Sequence, residues 1–130
     1  MISHVREERP DRVRREVRLP VEPERVWSAL TTGSDLSTWF GARVEIEART
    51  GGAVSARWPD GTERRATVEE MVPPVRLSFR WAPFERTPDR RARLVRASRV
   101  GFELRPSGGG TLMVVTEEAL GSPALARAVG

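Results

Sequence analysis

Residues 75–81, Val75-Arg76-Leu77-Ser78-Phe79-Arg80-Trp81, alternate apolar and polar side chains without a break. Successive side chains of a strand point to opposite faces, so this run predicts a strand with one buried and one wet face. Val75, Leu77, Phe79 and Trp81 share the buried side. Pro73-Pro74 before it and Pro83 after it punctuate the run, because proline cannot donate to a sheet ladder.

The same period of two recurs on either side. Toward the N-terminus, Ala66 and Val68 alternate with Thr67 and Glu69 in a strand predicted over Thr62–Met71, and Val54, Ala56 and Trp58 share one face of the strand before it. Pro59-Asp60-Gly61-Thr62 joins these two as a tight hairpin turn, proline presetting one dihedral and glycine accepting a positive one. Gly51-Gly52 marks another turn, preceded by Val44 and Ile46 alternating with Glu45 and Glu47. Toward the C-terminus, Val100, Phe102 and Leu104 alternate with Gly101, Glu103 and Arg105, and Ser107–Gly110 turns into a last strand, TLMVVTEEAL. Between them, the arginine-rich segment Pro83–Ala97, which also holds Pro88, is expected to be a long exposed connection.

Ahead of Gly41 the period changes. Val13, Val17 and Leu19 first alternate with charged positions in a strand over Arg12–Pro20. Pro23 then suits the first position of a helix and Glu24 its positive end, while Val26, Trp27 and Leu30 fall on one helical face. Gly33 breaks that helix. Leu36, Trp39 and Phe40 repeat the spacing in a second short helix that Gly41 closes. Ser122-Pro123 opens a final helix of about two turns, ending near Val129. This order predicts an α+β fold: an antiparallel sheet of six to seven strands, two short helices after strand 1, and a short C-terminal helix. Residues 12–130 form one domain, preceded by a flexible tail over residues 1–11.

Composition narrows the chemistry. The chain has 130 residues, with 38% hydrophobic and 31% charged side chains, the balance of one folded domain. It has no Cys and no Tyr, and its one His is His4, in the charged N-terminal segment. Thiolate nucleophiles, disulfides and thiolate metal sites are excluded, and a Ser-His triad or a transition-metal centre is not expected. No cofactor is implied. All 22 basic residues are arginine, set against 18 carboxylates for a formal net charge of +4, which points to an ion-paired surface. Arg86, Arg90, Arg91, Arg93, Arg96 and Arg99, offset by Asp89, form the one dense basic run; without a recognition motif it is not expected to bind nucleic acid. No stretch approaches the roughly 18 apolar residues of a membrane span, and the charged opening lacks a signal core, so the expected compartment is the cytoplasm.

The segment VEPERVWSALTTGSDLSTWF, with TGG, PDGT, VEEMVPPVRLSFRW and SRVGFELRPSGGGTLMVVTEEAL following in order, resembles the heat-shock-protein ATPase activator homologue family of the START-like (SRPBCC, helix-grip) superfamily. The resemblance covers about residues 12–121 and lies in the combination rather than in any single piece. It implies an antiparallel sheet curled around a C-terminal helix, with an apolar cavity between them. The short helix predicted after Pro123 departs from that pattern: either the chain is shortened or something else covers the groove.

Trp58, Phe79, Trp81 and Phe102 fall on the expected concave side, and Trp39 and Phe40 would close one end. The expected function is therefore a non-catalytic binding protein whose cavity, walled by these six residues, takes a hydrophobic small molecule such as a lipid or a polyketide. The alternative is a protein-interaction module acting on a chaperone or a second copy of the chain. A cyclase- or hydrolase-type enzyme is the third possibility, and it would rest on Glu, Asp or Arg alone. Among the adjacent pairs Glu69-Glu70 and Glu117-Glu118, one member of each could face the cavity, and a buried carboxylate near Arg76 or Arg80 would be an acid–base candidate.

Overall fold

The structure is a computed structural model that describes residues 4–9 and 11–121. Strand β1 (His4–Arg9) pairs antiparallel with β2 (Arg12–Leu19), and the chain then forms helices α1 (Pro23–Leu30) and α2 (Gly33–Phe40). Seven further strands follow: β3 (Arg43–Ile46), β4 (Ala53–Arg57), β5 (Glu63–Val72), β6 (Arg76–Arg86), β7 (Ala92–Leu94), β8 (Ser98–Ser107) and β9 (Gly110–Ala119). They make one curled antiparallel half-barrel in the order β1-β2-β9-β8-β6-β5-β4-β3, with β7 alongside the far end of β6.

The α+β curled antiparallel sheet with two short helices after β2 is as the sequence predicts, with two additions. Residues 4–9, expected within a flexible tail, form the edge strand β1. The expected connection Pro83–Ala97 instead contains the end of β6 and the whole of β7. Neither segment has an apolar alternation, and both join the sheet through backbone hydrogen bonds, which any side chain permits. Among the described residues the sheet therefore has nine strands where six to seven are expected. The helix predicted over residues 123–129 lies outside the described residues. Among the described residues no helix is long and apolar enough to cross a membrane.

The helices are short and tied to the sheet. Pro23 begins α1, where its missing N–H costs nothing, and Val26 and Leu30 form its buried face. Gly41 ends α2 in the left-handed region, at φ 65°, where a side chain would be strained. The Val44 N–H donates to Ser37 Oγ at 2.7 Å, linking α2 directly to β3. The core lies between the helices and the concave face, centred on Leu36, Leu77, Phe79, Phe102 and Met113, all almost fully buried.

Candidate functional site

A cavity of about 500 Å³ opens on the concave face. Trp39, Phe40, Trp58, Trp81, Phe102, Val100 and Val115 form its apolar lining, and Arg15, Arg64 and Glu117 its polar groups. Five of the six residues singled out from the sequence thus meet around one space. The sixth, Phe79, does not line it. Its ring is 0% exposed, packed against Phe40 at 6.2 Å, Trp81 at 5.5 Å and Phe102 at 6.1 Å between centroids. Alternation places Phe79 and Trp81 on the same face, but Phe79 is enclosed by Phe40, Trp81 and Phe102 together. Phe79 is the buried hub of an aromatic cluster whose outer members are the cavity wall.

Trp39 and Phe40 are adjacent on α2 and do different work. Phe40 is packed edge-on to Phe79 and Trp81, whereas Trp39 remains 41% exposed at the mouth. Trp58 follows β4 and leans on Trp81 at 6.5 Å. Trp27, on α1, packs against the core and takes no part in the lining.

The three polar lining residues continue the inward-facing rows of their strands. Arg15 precedes Val17 by two, Arg64 precedes Ala66 by two, and Glu117 follows Val115 by two. The period of two that identified the aromatics therefore also pointed to them. Strand register gathers them at one end of the sheet: Glu117 faces Val13 and Val100, Arg15 faces Val115, and Arg64 faces Glu85. An irregularity in the β5–β6 ladder between Arg64 and Ala66 sets the Arg64–Glu85 pairing beyond that of Ala66 with Trp81.

Arg64 is the most constrained charge in the site. Its guanidinium carbon lies 5.2 Å from the centre of the Trp81 ring, a cation–π arrangement, and Nη2 donates to the Ala82 carbonyl at 3.2 Å. Nε is buried and has no hydrogen-bond acceptor among the described residues. Burial lowers its pKa from the ordinary arginine value, while the charges of Glu85 and Glu117 oppose that shift, and the group stays cationic at neutral pH. Both carboxylates are held by other donors: Glu85 by Arg93, and Glu117 by the Ser98 hydroxyl at 3.3 Å.

Other candidates fall outside the cavity lining. Glu70 pairs with Arg76 at 2.9 Å, and Glu69 with Arg99 at 2.7 Å, both exposed to solvent, so neither is a buried acid–base group. The basic run is ion-paired locally, Glu63 being shared among Arg57, Arg86 and Arg90. Arg86 and Arg90 lie against Glu63, Arg91 against Asp89, Arg93 against Glu85 and Arg96 against Asp11. Among the described residues no three of His, Asp and Glu converge as a metal ion would require.

Comparison with known proteins extends this geometry. Three solved structures repeat the fold. CalU16 from Micromonospora echinospora is 22% identical with a TM-score of 0.63, the match covering 96% of this chain and 73% of that one. MLL2253 from Mesorhizobium loti is 23% identical with a TM-score of 0.73, over 90% and 82% of the two chains. DynU16, a protein in the dynemicin biosynthetic locus, is 25% identical with a TM-score of 0.70; the match covers 92% of this chain but 43% of DynU16. No curated protein matches the sequence. Residues 20–129, which include both helices and the sheet from β3 to β9, match the family described as Activator of Hsp90 ATPase homolog 1-like protein. The chain therefore belongs to that family, within the START-like (SRPBCC) superfamily.

Proposed function

We propose that this domain is a cytoplasmic, non-catalytic binding protein whose concave cavity takes a hydrophobic small molecule of the lipid or polyketide kind. The observation that carries this reading is the open space of about 500 Å³ walled by Trp39, Phe40, Trp58, Trp81 and Phe102. Apolar concave sites with a few polar groups are where small ligands bind, and this volume falls in the usual range. The likeness to DynU16, from a biosynthetic locus, supports a polyketide-like ligand.

Three of the four tryptophans line the cavity, so intrinsic fluorescence is the natural readout. Titration with a panel of long-chain lipids and aromatic polyketides should produce a saturable change for at least one class. No saturable change with any of them would overturn the reading.

A second reading, a contact on a chaperone ATPase, draws on the family's description and on one surface feature. Phe84 and Leu94 are opposed across β6 and β7 and are 48% and 40% exposed. If this pair is the contact, the domain stimulates an Hsp90-type ATPase and Phe84→Ser abolishes the stimulation. Stimulation unaffected by the substitution counts against that surface.

A further inference from the structure

We propose that the cavity selects amphipathic anions, seating an apolar body against Trp58, Trp81 and Phe102 and a single oxyanion on the Arg64 guanidinium. The proposal rests on the cavity-binding reading above and names its ligand class.

Three observations carry it. First, the polar lining comprises two cations, Arg15 and Arg64, and one anion, Glu117, an imbalance that one negative charge on a ligand would cancel. Second, among the described residues the Arg64 guanidinium donates a single side-chain hydrogen bond, to Ala82, and the carboxylates nearest in its field are already engaged by Arg93 and Ser98. Nε itself is closed to solvent, so a ligand oxyanion would meet the guanidinium at Nη1, which is not buried and donates to no described residue. Third, the guanidinium is fixed before any ligand arrives, by the Trp81 ring beneath it and the Ala82 carbonyl at its edge. A planar cation held in this way loses little freedom on binding, so a charge-assisted hydrogen bond to it is worth more than one to a flexible surface arginine. Arg15 stands exposed at the rim, placed to attract the same charge from solution.

The test uses two dyes that share one body. Anilinonaphthalene sulfonate carries a negative charge, and phenylnaphthylamine is its neutral counterpart. The wild-type protein should bind the sulfonate about tenfold more tightly than the neutral dye, the size expected of one hydrogen bond to a charged group. Arg64→Met should reduce that preference, the ratio of the two affinities within one protein, to about twofold or less. Glu117→Gln, at an exposed position whose change should not disturb folding, should widen the preference. Equal affinity for the two dyes in the wild type, or a preference that survives Arg64→Met, overturns the anion proposal while the cavity reading stands. Should Arg64→Met not fold, a Glu117→Gln protein with an unchanged preference overturns it equally. If neither dye binds, the anion proposal falls, and the lipid and polyketide titration decides whether the cavity reading falls with it.

Discussion

The Val44 amide donates to the Ser37 hydroxyl, which in turn donates to the Gly33 carbonyl, each at 2.7 Å. One serine thus joins the first turn of α2 to the start of β3 and sets the angle at which Trp39 and Phe40 meet the sheet. Ser37→Ala leaves the Val44 N–H short of an acceptor, and an unmet donor in a partly buried site costs about 1–3 kcal/mol. Denaturant unfolding should show that loss, and any ligand response from Trp39 should weaken with it.

Gly33 sits where α2 comes closest to β3. A Cβ built there would lie 2.6 Å from the Val44 carbonyl oxygen, a backbone atom that cannot swing aside. Gly33→Ala should therefore cost about 1–3 kcal/mol by overpacking, despite alanine's better helix propensity. Thermal melting decides the sign: a stabilised variant would mean that α2 can shift freely.

Phe79 and Trp39 should respond in opposite ways. Phe79→Ala empties the middle of the aromatic cluster and should destabilise the domain by about 3–5 kcal/mol. Trp39→Ala, at the open mouth, should cost under about 1 kcal/mol yet weaken binding of any cavity ligand. Paired unfolding and titration measurements on the two variants separate packing from binding.

Acid should weaken the outer ion pairs. The Glu69 carboxyl is held below its usual value of 4.5 by a hydrogen bond from Arg99, aided by the charges of Arg99 and Arg80 and opposed by slight burial. A carboxyl depressed in the folded state stabilises it fully above the unfolded value, and that gain disappears as pH falls through the folded value. The melting temperature should decline below about pH 4.5, and Glu69→Gln should flatten the decline slightly, as befits a largely solvated pair. An unchanged profile in the variant would show that the pair contributes nothing.

Much of this was legible in the chain because period two and period 3.6 are imposed by geometry. Leu77, Phe79 and Trp81 declared a face; Pro23, Gly33 and Gly41 declared where the helices start and stop. Strands β1 and β7 were not legible, since HVREER and ARL carry no apolar stripe and their pairing is a matter of backbone alone. The division of labour within the aromatics was equally hidden. Alternation tells which side Phe79 and Trp81 face, but not that Phe40 packs on both and that Phe79, ringed by Phe40, Trp81 and Phe102, loses all exposure while Trp81 still lines the cavity. Arg15, Arg64 and Glu117 were readable in principle, as charged residues on rows of otherwise apolar positions. Charge on such a row is most economically explained by a strand end reaching water, and nothing in one dimension shows that three such ends converge.

The tilted approach of Trp58 to Trp81, 6.5 Å apart and inclined by 46°, has an optical consequence. Two indole chromophores so close and so inclined couple their electronic transitions and imprint a paired circular-dichroism band on the far-ultraviolet spectrum. One ring belongs to the loop after β4 and the other to the middle of β6, so the band reports the spacing of two separate strands. The domain carries its own ruler, and anything that wedges between those rings will change its reading without a label being attached.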